Sequence, residues 1–140
     1  MAVPVQLKDF RNFLYLCWKH LNLPAPTSLQ TDIADYIQSK NKRIIIEAFR
    51  GVGKSWITSC YVCHQLLINP QIKILVISAS KQRADDFSTF TLRLIEEMPI
   101  LQHLIPSDKQ RKSKVAFDVA TATASHAPSV KSLGITSNIT

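Results

Sequence analysis

Two short apolar runs, each followed by a segment of helical length, constrain the fold of this chain more than any other feature. Residues 44–49 and 72–78 are rich in isoleucine and valine, and continuous runs of this kind are typical of parallel strands buried on both faces. Residues 54–68 and 80–98 follow them as predicted helices. The order strand, helix, strand, helix predicts an α/β fold in which the two strands lie parallel and near each other.

The segments before and after this core are shorter and less regular. Apolar residues recur at helical spacing over residues 5–21, and two prolines beyond them prevent that helix from continuing. A second helix is expected from an N-cap at Thr27 or Ser28 to about residue 39. Residues 115–119 and 130–136 are interpreted as short strands joined by a loop rich in serine, threonine and alanine.

The chain is short and basic. Its 140 residues allow one modest domain, and no apolar run is long enough to cross a bilayer. The first residues lack the order of a signal peptide, so we expect a cytoplasmic protein. Lysine and arginine number 17 against 10 acidic residues, and this excess of +7 suits a polyanionic partner. The densest basic stretch is interpreted as a DNA contact or, alternatively, as a solvated loop, and it contains Lys109, Arg111, Lys112 and Lys114.

Cysteine and histidine follow no pattern that indicates a metal site. Cys60 and Cys63 form a CxxC inside an apolar helical segment without a second pair, which favours two buried thiols over a zinc or redox motif. The four histidines share no spacing suited to a metal or a catalytic triad, and we expect them to be structural.

The segment between the first strand and its helix carries the chemistry. Residues 48–55 are Ala-Phe-Arg-Gly-Val-Gly-Lys-Ser, which match the phosphate-binding pattern GxxxxGK[S/T] except that alanine replaces the first glycine. Gly51 and Gly53 permit positive φ angles, and the following helix N-terminus adds N–H groups. Lys54 is expected to reach the β- and γ-phosphates, and the Ser55 hydroxyl to ligate Mg²⁺. The alternative is an ordinary glycine turn.

Arg50 lies inside the same loop, four residues before the lysine. A guanidinium there is expected to lie beside the β- and γ-phosphates and to stabilise charge in the transition state. The alternative is a surface charge that only steers phosphate toward the loop.

Four stretches of the chain stand out together. They are residues 14–27 (LYLCWKHLNLPAPT) followed by Gln30, 48–57 (AFRGVGKSWI), 73–84 (KILVISASKQRA) and 125–136 (SHAPSVKSLGIT). In this order they resemble the N-terminal ATPase portion of the phage terminase large subunit, most closely the DNA maturase B type of short-tailed podoviruses. Many NTPases share a phosphate loop, whereas the four stretches in one order are far more specific.

The resemblance implies a P-loop NTPase fold of the RecA or helicase-like kind, with a parallel sheet flanked by helices and with ATP and Mg²⁺ as ligands. Residues 1–40 would form a helical segment with the adenine-contacting motif, and residues 41–140 part of the ATPase domain. Arg50 and Lys54 are implied as catalytic. The implied nucleotide-binding residues are Gln30, Arg50, Gly51, Val52, Gly53, Lys54 and Ser55, and Ser55 would also bind Mg²⁺. Without the resemblance, Gln30 would be interpreted as an exposed glutamine on the side of a helix.

The function that the resemblance implies is ATP hydrolysis coupled to translocation of double-stranded DNA into a procapsid. The implied partners are DNA, a portal protein, a small terminase subunit and further copies of the chain in a ring, in the host cytoplasm and transiently on the procapsid, with no membrane. The resemblance to helicase motif Ia adds Ser80, Lys81 and Arg83 as DNA contacts at the end of the second strand. Helix capping is the alternative for the serine.

A complete ATPase also needs an acidic residue at the end of an apolar strand and a glutamate that activates water. No apolar run after the loop ends in two acidic residues, and Glu96 and Glu97 lie inside a predicted helix. We therefore expect a domain that is incomplete at its C-terminus, stops before the Walker B motif and lacks the nuclease domain, so that it binds nucleotide weakly and hydrolyses little by itself. Two alternatives stay open: a fragment of a helicase-like or repair NTPase, and a non-catalytic remnant that binds DNA or a partner.

Overall fold

The computed structural model describes residues 3–39, 41–49 and 51–135, which divide into the units Met1–His64 and Gln65–Thr140. The helices are Phe10–His20 (α1), Ser28–Ile37 (α2), Lys54–Ile68 (α3) and Lys81–Glu97 (α4), with 3₁₀ turns at Val5–Lys8 and Pro99–Leu104. The strands are Ile74–Ser78 (β1), Ala116–Phe117 (β2) and Val130–Gly134 (β3). The predicted α/β class is confirmed. None of the described helices is long and apolar enough to span a membrane.

Asp9 divides the first predicted helix into two parts. Its carboxylate accepts a hydrogen bond from the Arg11 N–H (3.0 Å) and caps α1, whereas Val5–Lys8 form a separate 3₁₀ turn. Hydrophobic periodicity continues through both parts, because it records which side chains are buried and not where the backbone restarts. The hydrogen bond from the Arg11 guanidinium lowers the pKa of Asp9, so the cap stays ionised.

The core of the first unit is built from buried side chains of its three helices. Its buried apolar side chains include Phe10, Phe13, Leu14, Cys17, Trp18, Ile33, Ile57, Cys60 and Cys63. The two thiols of the CxxC are therefore buried, as predicted, and burial raises the pKa of Cys63 well above its usual value.

His64 is enclosed in this core. Its Nε2 atom lies 2.7 Å from the Leu7 carbonyl oxygen, and its ring lies 5.4 Å and 5.3 Å from the rings of Phe10 and Phe13. Burial lowers the pKa of His64. These contacts agree with the structural role expected for it.

Residues 44–49 form no strand in the described part of the chain, so the prediction of a buried strand there is wrong. Ile45 and Phe49 expose 81% and 65% of their surface. β-Branched residues favour an extended backbone, but a strand forms only where a neighbour takes up its N–H and C=O groups. The β propensity of a segment depends on its own residues, whereas the presence of a neighbouring strand depends on the rest of the fold.

The second unit contains a three-stranded sheet in the order β1-β3-β2. β1 and β3 run parallel, with Ile74 opposite Val130 and Ser78 opposite Gly134, and β2 pairs antiparallel to β3. The predicted neighbour of the 72–78 strand was the 44–49 segment, whereas its observed partner is β3. The sheet is therefore mixed and not wholly parallel. The strand predicted over 130–136 ends at Gly134, and residue 136 lies outside the described residues.

Gly134 brings the end of β3 against the beginning of α4. A β-carbon added at this glycine would overlap the backbone of Ser80 and Lys81. Only a residue without a side chain fits this approach. The glycine thus sets how closely α4 lies over the sheet.

Candidate nucleotide-binding site

The predicted phosphate loop has the backbone geometry that an anion-binding turn needs. Gly51 and Gly53 adopt φ angles of +93° and +91°, a region that favours glycine over any residue with a β-carbon. α3 begins immediately afterwards at Lys54. The first N–H groups of a helix have no intrahelical acceptor, and the positive end of the helix dipole lies there. The turn and the helix together therefore present donors to an anion.

Lys54 and Ser55 lie at the start of α3 with exposed side chains. The Lys54 ammonium group donates a hydrogen bond to the carbonyl oxygen of Ala48, the residue that stands in place of the first glycine of the pattern. This bond folds the lysine back across the loop. An ammonium group carries three hydrogens, so others remain for a phosphate oxygen.

Gln30 links α2 to the loop. Its Oε1 atom accepts hydrogen bonds from Trp18 Nε1 (3.1 Å) and from the Thr27 N–H (3.0 Å). Its Nε2 atom donates to the Val52 carbonyl oxygen (2.9 Å) inside the predicted phosphate loop. An amide nitrogen carries two hydrogens, and within the described residues one of them remains for an acceptor on a ligand. Gln30 is therefore a tether of the loop and not merely an exposed glutamine.

A cavity of about 250 Å³ opens beside the loop. It is lined by Trp18, Leu23, Pro24, Ala25, Thr27, Gln30, Gly51, Gly53 and Trp56. The two indole rings meet edge to face, with centroids 6.5 Å apart and planes at 86°. Trp18 is buried, whereas Trp56 exposes 44% of its surface. A mostly apolar lining with aromatic rings and a few polar groups suits a planar heterocycle.

The sequence did not predict that Trp18 and Trp56 line the cavity, or that Gln30 also caps α2. The sequence does contain a signal for the capping role, because Thr27 and Gln30 have the spacing of a capping box. The structure shows both hydrogen bonds of this box. No local signal brings Trp18 and Trp56 together. Their approach depends on how α1 and α3 pack.

The predicted role of Arg50 concerns a residue that lies outside the described residues. Its place beside the phosphates stays a prediction.

Ser80, Lys81 and Arg83 lie at the beginning of α4. The Ser80 hydroxyl accepts a hydrogen bond from the Arg83 N–H (3.2 Å), which is the capping role foreseen as the alternative. Lys81 pairs with Asp85 one turn later (3.1 Å). The guanidinium of Arg83 is exposed, and its contact with DNA stays a prediction.

The four basic residues of the stretch 109–114 differ in their surroundings. Arg111 pairs with Asp118 (3.1 Å), and Lys112 lies 3.5 Å from Glu96. Lys109 and Lys114 have exposed side chains. Their contact with DNA is likewise untested.

No family model matches the chain. Over 140 residues, which are 99% of the chain, it is 50% identical to the protein "Terminase, large subunit" of Enterobacteria phage T3. The chain spans 24% of the length of that relative. It is therefore a homologue of a part of the phage terminase large subunit.

Proposed function

We propose that this chain is a nucleotide-binding portion of a viral DNA-packaging ATPase. The observation that carries the proposal is the glycine loop at the start of α3, tied through Gln30 to a cavity walled by two indole rings. Phosphate donors and an aromatic pocket lie side by side, which is the arrangement that a nucleotide needs. The match to a terminase large subunit supports ATP as that nucleotide.

In this proposal the triphosphate binds the N–H groups at the start of α3. Lys54, whose ammonium group donates one hydrogen bond to the Ala48 carbonyl, would bind the β- and γ-phosphates with its other hydrogens. The base would lie between Pro24 and the indoles, with the remaining Gln30 amide hydrogen directed at a ring nitrogen. Arg50 would stabilise the charge that develops on the phosphates.

The residues present also fit a magnesium ion. Mg²⁺ in nucleotide sites keeps several waters and takes one or two protein ligands beside the phosphates. The exposed hydroxyl of Ser55, in the first turn of α3, supplies one such ligand. The ion would neutralise phosphate charge when bound.

In the intact protein, hydrolysis would drive double-stranded DNA into a procapsid within the host cell. A portal protein, a small terminase subunit and further copies of the chain in a ring would be its partners. The fold would be a RecA-like P-loop sheet, of which residues 41–140 form a part. This set of roles rests on the relative's description as a terminase large subunit.

A fluorescence titration tests the nucleotide site. The chain contains two tryptophans, Trp18 and Trp56, and both line the cavity, so bound Mg-ATP should change the emission in a saturable way. Lys54→Ala removes a charged hydrogen-bond donor and should weaken binding by about 10- to 100-fold. Lys42→Ala, which removes another exposed charge outside the loop, is the control and should bind as the unchanged chain does. Equal affinities for the two variants, or no saturable change at all, would refute the proposal.

A further inference from the structure

Arg111 organises the loop between β2 and β3. Its guanidinium donates to both carboxylate oxygens of Asp118 (3.1 Å and 3.2 Å). It also donates to three successive backbone carbonyls, those of Ser125 (2.6 Å), His126 (2.8 Å) and Ala127 (3.2 Å). A planar group with donors on three nitrogens is suited to hold several acceptors at once, and lysine cannot reproduce this.

Asp118 completes this arrangement from the other side. Its carboxylate also accepts from the N–H groups of Arg111 and Ser129 (both 3.3 Å). Burial alone would raise the pKa of Asp118, but these hydrogen bonds outweigh it and lower the pKa. The carboxylate therefore stays ionised, and its charge is balanced by Arg111.

Gln71 holds the loop at a second place. Its Nε2 atom donates to the Thr121 carbonyl (2.8 Å), and its Oε1 atom accepts from the Thr123 N–H (2.9 Å). The loop is thus fixed by long-range contacts although it contains no helix or strand.

These contacts take up part of the polar backbone of the loop and, in the described structure, leave some of its N–H groups free. Four carbonyls of residues 121–127 are taken up by the side chains of Arg111 and Gln71. Within the described residues, the N–H groups of Ala124 and Ser125 have no acceptor. The exposed hydroxyl groups of Thr123 and Ser125 lie beside them. Free N–H and hydroxyl donors can bind an anion.

A groove of about 320 Å³ runs along this surface. It is lined by Lys109, Gln110, Arg111, Asp118, Ala122, Thr123, Ala124 and Ser125. Residues 108–118 carry four basic and two acidic side chains. Asp118 lies in the groove, but its charge is balanced by Arg111. Lys109 also lines the groove, and it pairs with no acidic side chain in the described part of the chain.

We propose that this groove binds the phosphodiester backbone of DNA, with Lys109, the Thr123 hydroxyl and the Ala124 and Ser125 N–H groups as contacts. The lining contains no aromatic side chain on which a base could stack, so the contacts are to phosphate and carry no sequence preference. Arg111 is a positioning residue here, because its donors are spent on the loop. This differs from the direct DNA contact expected of it from the sequence. The proposal rests on the proposed packaging function and assigns a surface to its DNA.

The test measures binding of the 140-residue chain to a fluorescein-labelled duplex by anisotropy at several salt concentrations. Lys109→Gln should weaken binding about five- to tenfold and reduce the salt slope by about one, as expected for one lost phosphate contact. Thr123→Val should weaken binding a few-fold without changing that slope. Lys19→Gln, which removes an exposed charge on α1, is the matched control and should have a smaller effect. Equal effects of Lys109→Gln and Lys19→Gln would mean diffuse attraction and overturn the proposal.

Arg111→Lys separates positioning from charge. It keeps the charge but loses most of the loop's hydrogen bonds, so DNA binding should weaken and residues 118–129 should become sensitive to limited proteolysis. Wild-type affinity in this variant would overturn the positioning role.

A competition experiment distinguishes DNA from a free anion. Inorganic phosphate and an unlabelled duplex are compared at equal total phosphate concentration. If both displace the labelled duplex equally well, the groove is a simple anion site, and the assignment to DNA is overturned. Mg-ATP titration of the same variants should be unchanged, so a failure here is distinct from a failure of the nucleotide site.

Discussion

Replacement of Gln30 by alanine tests how the predicted phosphate loop is held. The variant loses three hydrogen bonds, to Trp18 Nε1, to the Thr27 N–H and to the Val52 carbonyl. The indole of Trp18 is 3% exposed and Val52 is 4% exposed, so water replaces these partners poorly.

The expected cost follows from these three bonds. Each contributes a net ~0.5–1.5 kcal/mol to stability, so Gln30→Ala should lower the free energy of unfolding by about 3 kcal/mol. With a urea dependence of about 2 kcal/mol per molar, the midpoint should fall by about 1.5 M. Tryptophan emission follows the transition, because both tryptophans belong to the unit that contains Gln30.

Gln38→Ala is the matched control. Gln38 also makes three hydrogen bonds, with the Phe10 N–H (2.8 Å), Asp9 (2.8 Å) and Asp35 (3.2 Å), and none of the three is to the loop. Both variants should lose similar stability, whereas only Gln30→Ala should weaken Mg-ATP binding, by about tenfold for one lost hydrogen bond.

Two outcomes would refute this reasoning. An unfolding free energy within about 0.5 kcal/mol of the unchanged chain would mean that the Gln30 bonds are not formed in solution. Equal Mg-ATP affinities of the Gln30 and Gln38 variants would mean that the tether does not act on the nucleotide site.

Two further predictions concern packing and pH. Gly134→Ala should lower the unfolding free energy of its unit by about 1–3 kcal/mol, because the added methyl group overlaps the backbone of Ser80 and Lys81. Circular dichroism in urea measures this loss, and an unchanged midpoint would contradict the close approach of the two segments. Burial lowers the pKa of His64 in the folded chain, so the unfolded chain binds the proton more tightly. Stability should therefore fall as the pH drops below about 6.5, the pKa of the unfolded chain, and toward the lower pKa of the folded chain. His64→Gln should show less of this loss between pH 7 and 5, and an identical pH profile would assign the loss to other groups.

The parts of the fold that local signals determine could be predicted from the sequence. α3 has the predicted bounds of Lys54–Ile68, because the glycine loop before it and the Asn-Pro after it define both ends. α4 begins after the predicted cap at Ser80 for the same reason. A cap or a stop acts within a few residues, so a single sequence contains all of its information.

The parts that depend on distant partners could not be predicted. Residues 44–49 have the composition of a strand but no neighbour that makes them one in the described structure. Arg111 was expected to contact DNA or to belong to a solvated loop, because nothing local shows that Asp118 and three carbonyls of a later loop converge on it. Gln30 was placed at the site by resemblance, while its bonds to Trp18 and Val52 depend on tertiary packing.

The central claim, that Gly51–Ser55 hold a triphosphate, is tested most directly by nuclear magnetic resonance of glycine amides. The chain contains three glycines, of which Gly51 and Gly53 lie in the loop and Gly134 lies at the end of β3. Selective nitrogen-15 labelling of glycine therefore gives two reporters and one internal control. Mg-ATP should shift the Gly51 and Gly53 signals in a saturable way and leave Gly134 unmoved. Unchanged loop glycines, or equal shifts of all three, would contradict the account.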